Sequence, residues 1–247
     1  MVTAWAPSMN KTLNLKPGHA LDGLETDGDG RESQAVTTIR IGAKATLFFE
    51  GDRIRDLLEV VDGTVKLFKA MADGRRQIVG FYFPGGVIGV TADGIFHYDA
   101  ETVTDVILRR YSRLGLNRAM KNDPMIGKLL FQLTSTELAM THRHMLLLGR
   151  KNPVEKVSTF LLDLARRQSQ ILEPGHMLDL PMGRGDIADY LGLTIETVSR
   201  TISRLRKAHI IGLVHANLVV LKDPARLSAW AEGRDPCRPG ACGHRGR

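Results

Sequence analysis

Cysteine is nearly missing from this chain: Cys237 and Cys242, both within the last eleven residues, are all that its 247 residues contain. A fold built on disulfides is thereby excluded, and a reducing compartment is the expectation. No run approaches the ~20 apolar residues that cross a bilayer, so no membrane span is expected. The first twenty residues, "MVTAWAPSMNKTLNLKPGHA", lack the apolar centre and cleavage pattern of a secretory signal, and a cytoplasmic location is expected. Paired carboxylates, a nucleophile triad and a phosphate loop are missing too, which argues against an enzyme. Asp186 and Asp189 read better as the solvated face of a helix than as a metal-binding pair.

What the chain does have is the composition of a globular protein, 43% apolar and 25% charged, with length for one large domain or two ordinary ones. Its net charge of +7 is unevenly spread. Residues 151–247 hold fifteen Lys and Arg against ten Asp and Glu, whereas residues 1–150 hold nineteen against seventeen. The basic excess of the C-terminal part suits an anionic polymer as partner.

Residues 1–34 are polar, Gly-rich and aperiodic, and read as a poorly ordered tail. The "DGDGRE" inside them has the wrong glycine and glutamate spacings for a calcium loop. Residues 35–122 hold short apolar or alternating runs separated by turn residues. Asp62-Gly63 and Asp73-Gly74 each sit between β-rich runs, a hairpin signal, and strands at this spacing suggest a jelly roll. At Asp123-Pro124 the period changes to that of a helix, 123–150, with a cap followed by proline at the first helical position. Ile126, Leu130, Leu133, Met140 and Leu147 recur along it with a 3.5-type period, interrupted by Glu137 and His144. The expectation is a seam against a second copy, with packing on its own domain as the other reading. Asn152-Pro153 starts the next helix, a short strand follows, then two helices, a hairpin around His215-Ala216-Asn217 and a last helix from Asp223-Pro224. Residues 151–231 therefore read as a winged helix-turn-helix, and 232–247 as a flexible tail. The fold class is α+β.

The stretch "RGDIADYLGLTIETVSRTISRL", Arg184 to Leu205, carries the chemistry. With Gly192 as the turn, Ile187, Ala188 and Leu191 form the buried side of the first helix, and Val198, Ile202 and Leu205 that of the second. Thr194 is a suitable N-cap. The opposite face shows Glu196, Ser199, Arg200 and Ser203, with no large apolar residue. An Arg can bond O6 and N7 of guanine, a Glu can accept from the cytosine amino group, and Ser serves either role. Arg204, Arg206 and Lys207 are placed for phosphates, as are Arg184, Thr194 and Thr197 around the turn. An ordinary i,i+4 ion pair between Glu196 and Arg200 is the modest alternative. The glycines flanking Arg184 oppose a helix start, and the sequence gives no functional account of them.

"LPMGRGDIADYLGLTIETVSRTISRL" resembles the helix-turn-helix of the CRP/FNR superfamily of bacterial transcription regulators, above all its FixK-like branch. The likeness extends through "LLLGRKNPVEKVSTFLLDLARR" and "ADGRRQIVGFYFPGGVIG", over roughly residues 40–222. It implies a homodimer with an N-terminal β jelly roll of the cyclic-nucleotide-binding type, a long dimerisation helix and a C-terminal winged helix. It further implies that Glu196, Ser199 and Arg200 contact bases of an inverted repeat of TTGAT half-sites. Ile195, where the cyclic-AMP receptor branch has Arg, points to that FNR/FixK type of site. The implied role is an activator of low-oxygen or nitrogen-fixation genes that touches RNA polymerase through the Met71–Arg76 hairpin, with Asp73 and Arg75 at its tip. A plain exposed turn is the other reading of that hairpin.

Within the resemblance, two kinds of sensing do not fit. Cyclic-nucleotide binders need a cation against the phosphodiester, yet Gln77 to Leu108 contains no Lys or Arg, and Val90 stands where a Glu is required. An iron–sulfur cluster needs several cysteines, and none precedes residue 237. No cofactor is expected. A haem- or nitric-oxide-responsive regulator of the same superfamily, with His142 or His144 as ligand, and a ligand-binding regulatory module stay open. Cys237, Cys242 and His244 make an incomplete zinc set, and no metal site is expected.

Overall fold

Alternating burial runs from Val36 to Ser112, where successive side chains point to opposite faces of two sheets. In the computed structural model, which describes residues 36–169 and 172–234, eight strands precede the first helix. They are β1 (Val36–Ile41), β2 (Thr46–Phe48), β3 (Asp56–Asp62), β4 (Val65–Ala70), β5 (Arg76–Tyr82), β6 (Val87–Ile88), β7 (Asp99–Thr102) and β8 (Val106–Ser112). One sheet has the order β1-β8-β3-β6 and the other β2-β7-β4-β5, all neighbours antiparallel. Phe48, Val60, Val65, Leu67, Ile88, Ala100, Val106 and Leu108 fill the space between them. Phe96 is packed against that core and stacks on Phe48 with ring centroids 3.4 Å apart. A buried carboxylate, Glu59, accepts from the Tyr111 hydroxyl at 2.6 Å and pairs with Arg109 at 3.4 Å. It is thereby satisfied rather than stranded.

Only one of the two Asp-Gly turns is a hairpin. Asp73-Gly74 joins β4 to β5, but Asp62-Gly63 carries the chain from one sheet to the other, which corrects the expectation of a hairpin there. Gly63 takes φ +84°, and a Cβ at that position would lie 2.2 Å from the Asp105 carbonyl oxygen. The turn is pressed against the loop before β8, with the Thr64 amide donating to the Thr104 hydroxyl at 3.0 Å.

Helix α1 (Arg113–Asn122) follows β8, capped by the Ser112 hydroxyl, in a stretch the sequence pattern left inside the jelly-roll segment. Helix α2 (Pro124–Arg150) then spans 27 residues. Two compact units divide inside it, between Glu137 and Leu138. Side-chain use explains the division. Ile126, Leu129, Leu130 and Leu133 join Leu57, Val87, Tyr111 and Leu116 in a core of the first unit. In the second unit, Leu147 is buried.

The second unit continues with α3 (Pro153–Gln168), β9 (His176–Asp179), α4 (Arg184–Leu191), α5 (Ile195–Lys207), β10 (Ile211–His215), β11 (Leu218–Leu221) and α6 (Pro224–Ala231). Asn152 caps α3 in a reciprocal box with Glu155, as the Asn-Pro signal suggests. The sheet order is β10-β11-β9. The element order is that of a winged helix-turn-helix, with the β10–β11 hairpin as the wing. "DGDGRE", Cys237, Cys242 and His244 lie outside the described residues. Among the described residues no helix is long and apolar enough to cross a membrane, and no group of three His, Cys, Asp or Glu is placed to hold a metal.

Candidate nucleic-acid interface

The turn between α4 and α5 is set by one residue. Gly192 adopts the left-handed conformation, φ 60° and ψ 46°, which an L side chain resists. The Leu193 amide then bonds back to the Ala188 carbonyl. Ile187, Ala188 and Leu191 are buried on α4, and Val198, Ile202 and Leu205 on α5. The Thr194 hydroxyl caps α5 by accepting from the Thr197 amide at 3.2 Å. The Thr197 hydroxyl in turn lies 3.0 Å from that of Thr194. The expected turn, N-cap and two buried stripes are all present.

With one stripe of α5 buried, the other is fixed outward. Glu196, Ser199 and Arg200 are all exposed. Hydrogen bonds from its own backbone N–H and from the Thr194 hydroxyl, together with the charge of Arg200, hold the Glu196 carboxyl below the usual carboxylate range. It therefore faces solvent as an ionised acceptor. Ile195, read from the sequence only as a marker of site type, is 52% exposed at the first position of α5.

The residues assigned to phosphates divide. Thr194 is exposed at the N-terminus of α5, with Thr197 half-buried beside it. Arg204 is half-buried, its guanidinium 5.4 Å from the ring centre of the buried Trp230. Arg184 is turned toward the wing, where its Nη2 donates to the Ala216 carbonyl at 3.1 Å. Its Nη1 is buried with no hydrogen-bond partner among the described residues, and desolvation lowers the pKa of the guanidinium. Gly183, beside it, makes no side-chain cap, and a Cβ there would meet open space, so nothing in the structure requires that glycine.

On α2 the residues assigned to dimerisation are partly engaged within the chain, from half-buried to buried. Ile126 and Leu147 are buried, Leu130 and Leu133 pack on the first unit's core, and the Met140 sulfur lies 3.6 Å from Arg167 Nη2. A second apolar series on the same helix is turned outward: Phe131 is 73% exposed, Leu138 55% and Met145 66%. These three are seven residues apart, and that spacing is the sequence signal that could have found them. Asp73 and Arg75 form an exposed ion pair at 2.7 Å at the tip of the β4–β5 hairpin.

Residues 155–230 match the Crp-like helix-turn-helix domain family, and residues 38–123 match the cyclic nucleotide-binding domain family. The nitrogen fixation regulation protein FixK of Bradyrhizobium diazoefficiens is 37% identical over 193 residues, covering 78% of this chain and 81% of that protein. The transcriptional activator protein FnrL of Cereibacter sphaeroides is 37% identical over 189 residues, 75% of this chain and 76% of that protein. The solved structure of FixK2 from Bradyrhizobium japonicum superposes with a TM-score of 0.74 at 38% identity, covering 79% of this chain and 96% of that one. The likeness thus spans both units at an identity high enough to carry family membership as well as fold. The chain belongs to the CRP/FNR family of DNA-binding transcription regulators, on its FixK-like branch.

Proposed function

We propose that this regulator is a cytoplasmic homodimer that activates transcription from an inverted repeat of TTGAT half-sites, one recognition helix in each half. A single observation carries the reading: an acid, a hydroxyl and a guanidinium stand together on the exposed face of α5 while its opposite stripe is buried. Glu196, Ser199 and Arg200 read base edges in the major groove. Thr194, Thr197 and Arg204 meet flanking phosphates, and Arg184, with its half-satisfied guanidinium, meets one more. Phe131, Leu138 and Met145 supply the apolar seam between two copies. The ion-paired hairpin tip at Asp73 and Arg75 contacts RNA polymerase. The name of FnrL, a transcriptional activator, supports activation, and that of FixK, a nitrogen fixation regulation protein, supports nitrogen-fixation genes as targets.

The roll works without a small effector in this reading. Its interior is filled by its own side chains, and the Gln77–Leu108 segment supplies no cation for a buried phosphodiester. The test is a gel shift at fixed salt on a TTGAT-N4-ATCAA duplex against a scrambled one. Wild-type protein is expected to prefer the repeat and Arg200→Ala to lose most of that preference. Full discrimination by the variant overturns the base-contact assignment.

A further inference from the structure

Behind the helix-turn-helix lie two buried ionisable groups that DNA contact does not use. His144, on α2, stacks on Tyr190 of α4 with ring centroids 4.1 Å apart and planes 22° from parallel. Phe160 of α3 packs on Tyr190 as well, at 5.8 Å. Both ring nitrogens of His144 are buried, and neither has a hydrogen-bond partner among the described residues. A neutral imidazole already carries one N–H donor, so the site leaves a donor unmet, and a charged ring would leave two.

Lys156, on α3, is 8% exposed, and its Nζ donates to the Leu191 carbonyl at 3.0 Å. That carbonyl is one of the orphan acceptors at the end of α4, and the next residue is the left-handed Gly192. The ammonium therefore ties α3 to the last fixed point before the recognition helix. Burial pushes His144 and Lys156 below their ordinary values, and the charge of Lys156 pushes His144 further. The remaining groups around the stack are Tyr190, pushed up to about 12 by burial, Asp163 and Arg167 of α3, and Arg143 on the same helix as His144, whose charges act on Tyr190.

We propose that His144 and Lys156 are positioning residues for the recognition helix, and that protonation of His144 loosens the turn so that sequence discrimination weakens in acid. A second cation beside Lys156 is relieved when the ammonium leaves the Leu191 carbonyl or the imidazolium leaves the Tyr190 ring. Either move frees the end of α4. The sign follows from linkage: a histidine held below its ordinary value favours the packed arrangement when neutral, and protons favour the loosened one. Non-specific affinity reports only the attraction of phosphates for the basic surface. The ratio of specific to scrambled binding is therefore the diagnostic quantity, and a role in stability alone would not shift it.

This proposal rests on the base-contact reading, and the experiment separates the two. The full chain is titrated with the TTGAT repeat and the scrambled duplex at one salt concentration, at about pH 7.5 and about pH 5.5. The wild-type ratio is expected to fall between them, by no more than about tenfold per pH unit for a single proton. His144→Phe keeps an aromatic ring against Tyr190 without a titrating group, and its ratio is expected to be the same at both pH values. In the wild-type protein, the His144 ring signal followed by NMR is expected to titrate below the ordinary histidine value and to move the Tyr190 ring signals with it. No discrimination at the higher pH overturns the base contacts and this proposal together. Discrimination that is equal at both pH values, or equally pH-dependent in His144→Phe, overturns this proposal alone. So does a His144 that titrates at its ordinary value without moving Tyr190, a result that stands even where the variant does not fold.

Discussion

In the proposed reading, two arginines sixteen positions apart carry the two components of DNA binding. Arg200 is exposed on the outer face of α5, whereas Arg184 is half-buried with Nη2 on the wing's Ala216 carbonyl. A bidentate arginine–guanine contact contributes roughly 1–3 kcal/mol of discrimination against the wrong base. Arg200→Ala is therefore expected to weaken binding to the repeat by about that amount per half-site and to leave the scrambled duplex nearly unaffected. Arg184→Ala should do the opposite in kind: both duplexes weaken by a similar factor, and the slope of log affinity against log salt falls by about one per half-site. Parallel titrations over a salt series distinguish the outcomes. A selective loss on the repeat alone for Arg184→Ala would move that residue from the backbone to the bases.

At the scale of elements, the recognition pair was legible because short-range rules and burial agree there. The Gly192 turn, the Thr194 cap and the two buried stripes each follow from residues within one or two turns of one another. The jelly roll was less so. Asp62-Gly63 and Asp73-Gly74 look alike locally, and only the pairing of distant strands decides that one crosses between sheets while the other closes a hairpin. Helix α1 went unseen because Gly115 interrupts it and Leu116 is its single buried residue. On α2, periodicity revealed an apolar face at Ile126, Leu130 and Leu133, but it could not say how much of that face the chain's own core would take up. The two turns also differ in tolerance. Both glycines have positive φ, so Ala at either costs about 1–2 kcal/mol for the left-handed backbone. At Gly74 nothing lies within 4 Å of the added Cβ, while at Gly63 the Asp105 carbonyl stands in its place. Urea unfolding should show Gly74→Ala losing only that backbone cost and Gly63→Ala losing clearly more.

For the whole molecule, one recognition helix would not read the proposed repeat. The 13 residues of α5 extend over about 20 Å, and half-sites one helical turn apart are centred about 34–36 Å from each other, so reading both takes two copies. Joining two weak contacts raises affinity through effective concentration without any new base contact, provided the copies are held together. Phe131, Leu138 and Met145 are the exposed apolar residues at the spacing of a helix–helix seam, and burying such a side chain stabilises by about 1.5–3 kcal/mol. Leu138→Glu brings two carboxylates together at that seam. The variant is expected to sediment as a monomer, to lose most of its affinity for the full repeat, and to bind an isolated half-site much as the wild type does. Leu133→Glu is the matched control, because Leu133 packs on the core formed by Leu57, Val87, Tyr111, Leu116 and Ile126. It should lower the melting temperature of the jelly roll even at dilutions where the wild type is monomeric, which Leu138→Glu should not do. If Leu133→Glu instead dissociates the dimer without destabilising the roll, the seam lies on the face that the sequence period first suggested, and the inward packing of that face gives way on association.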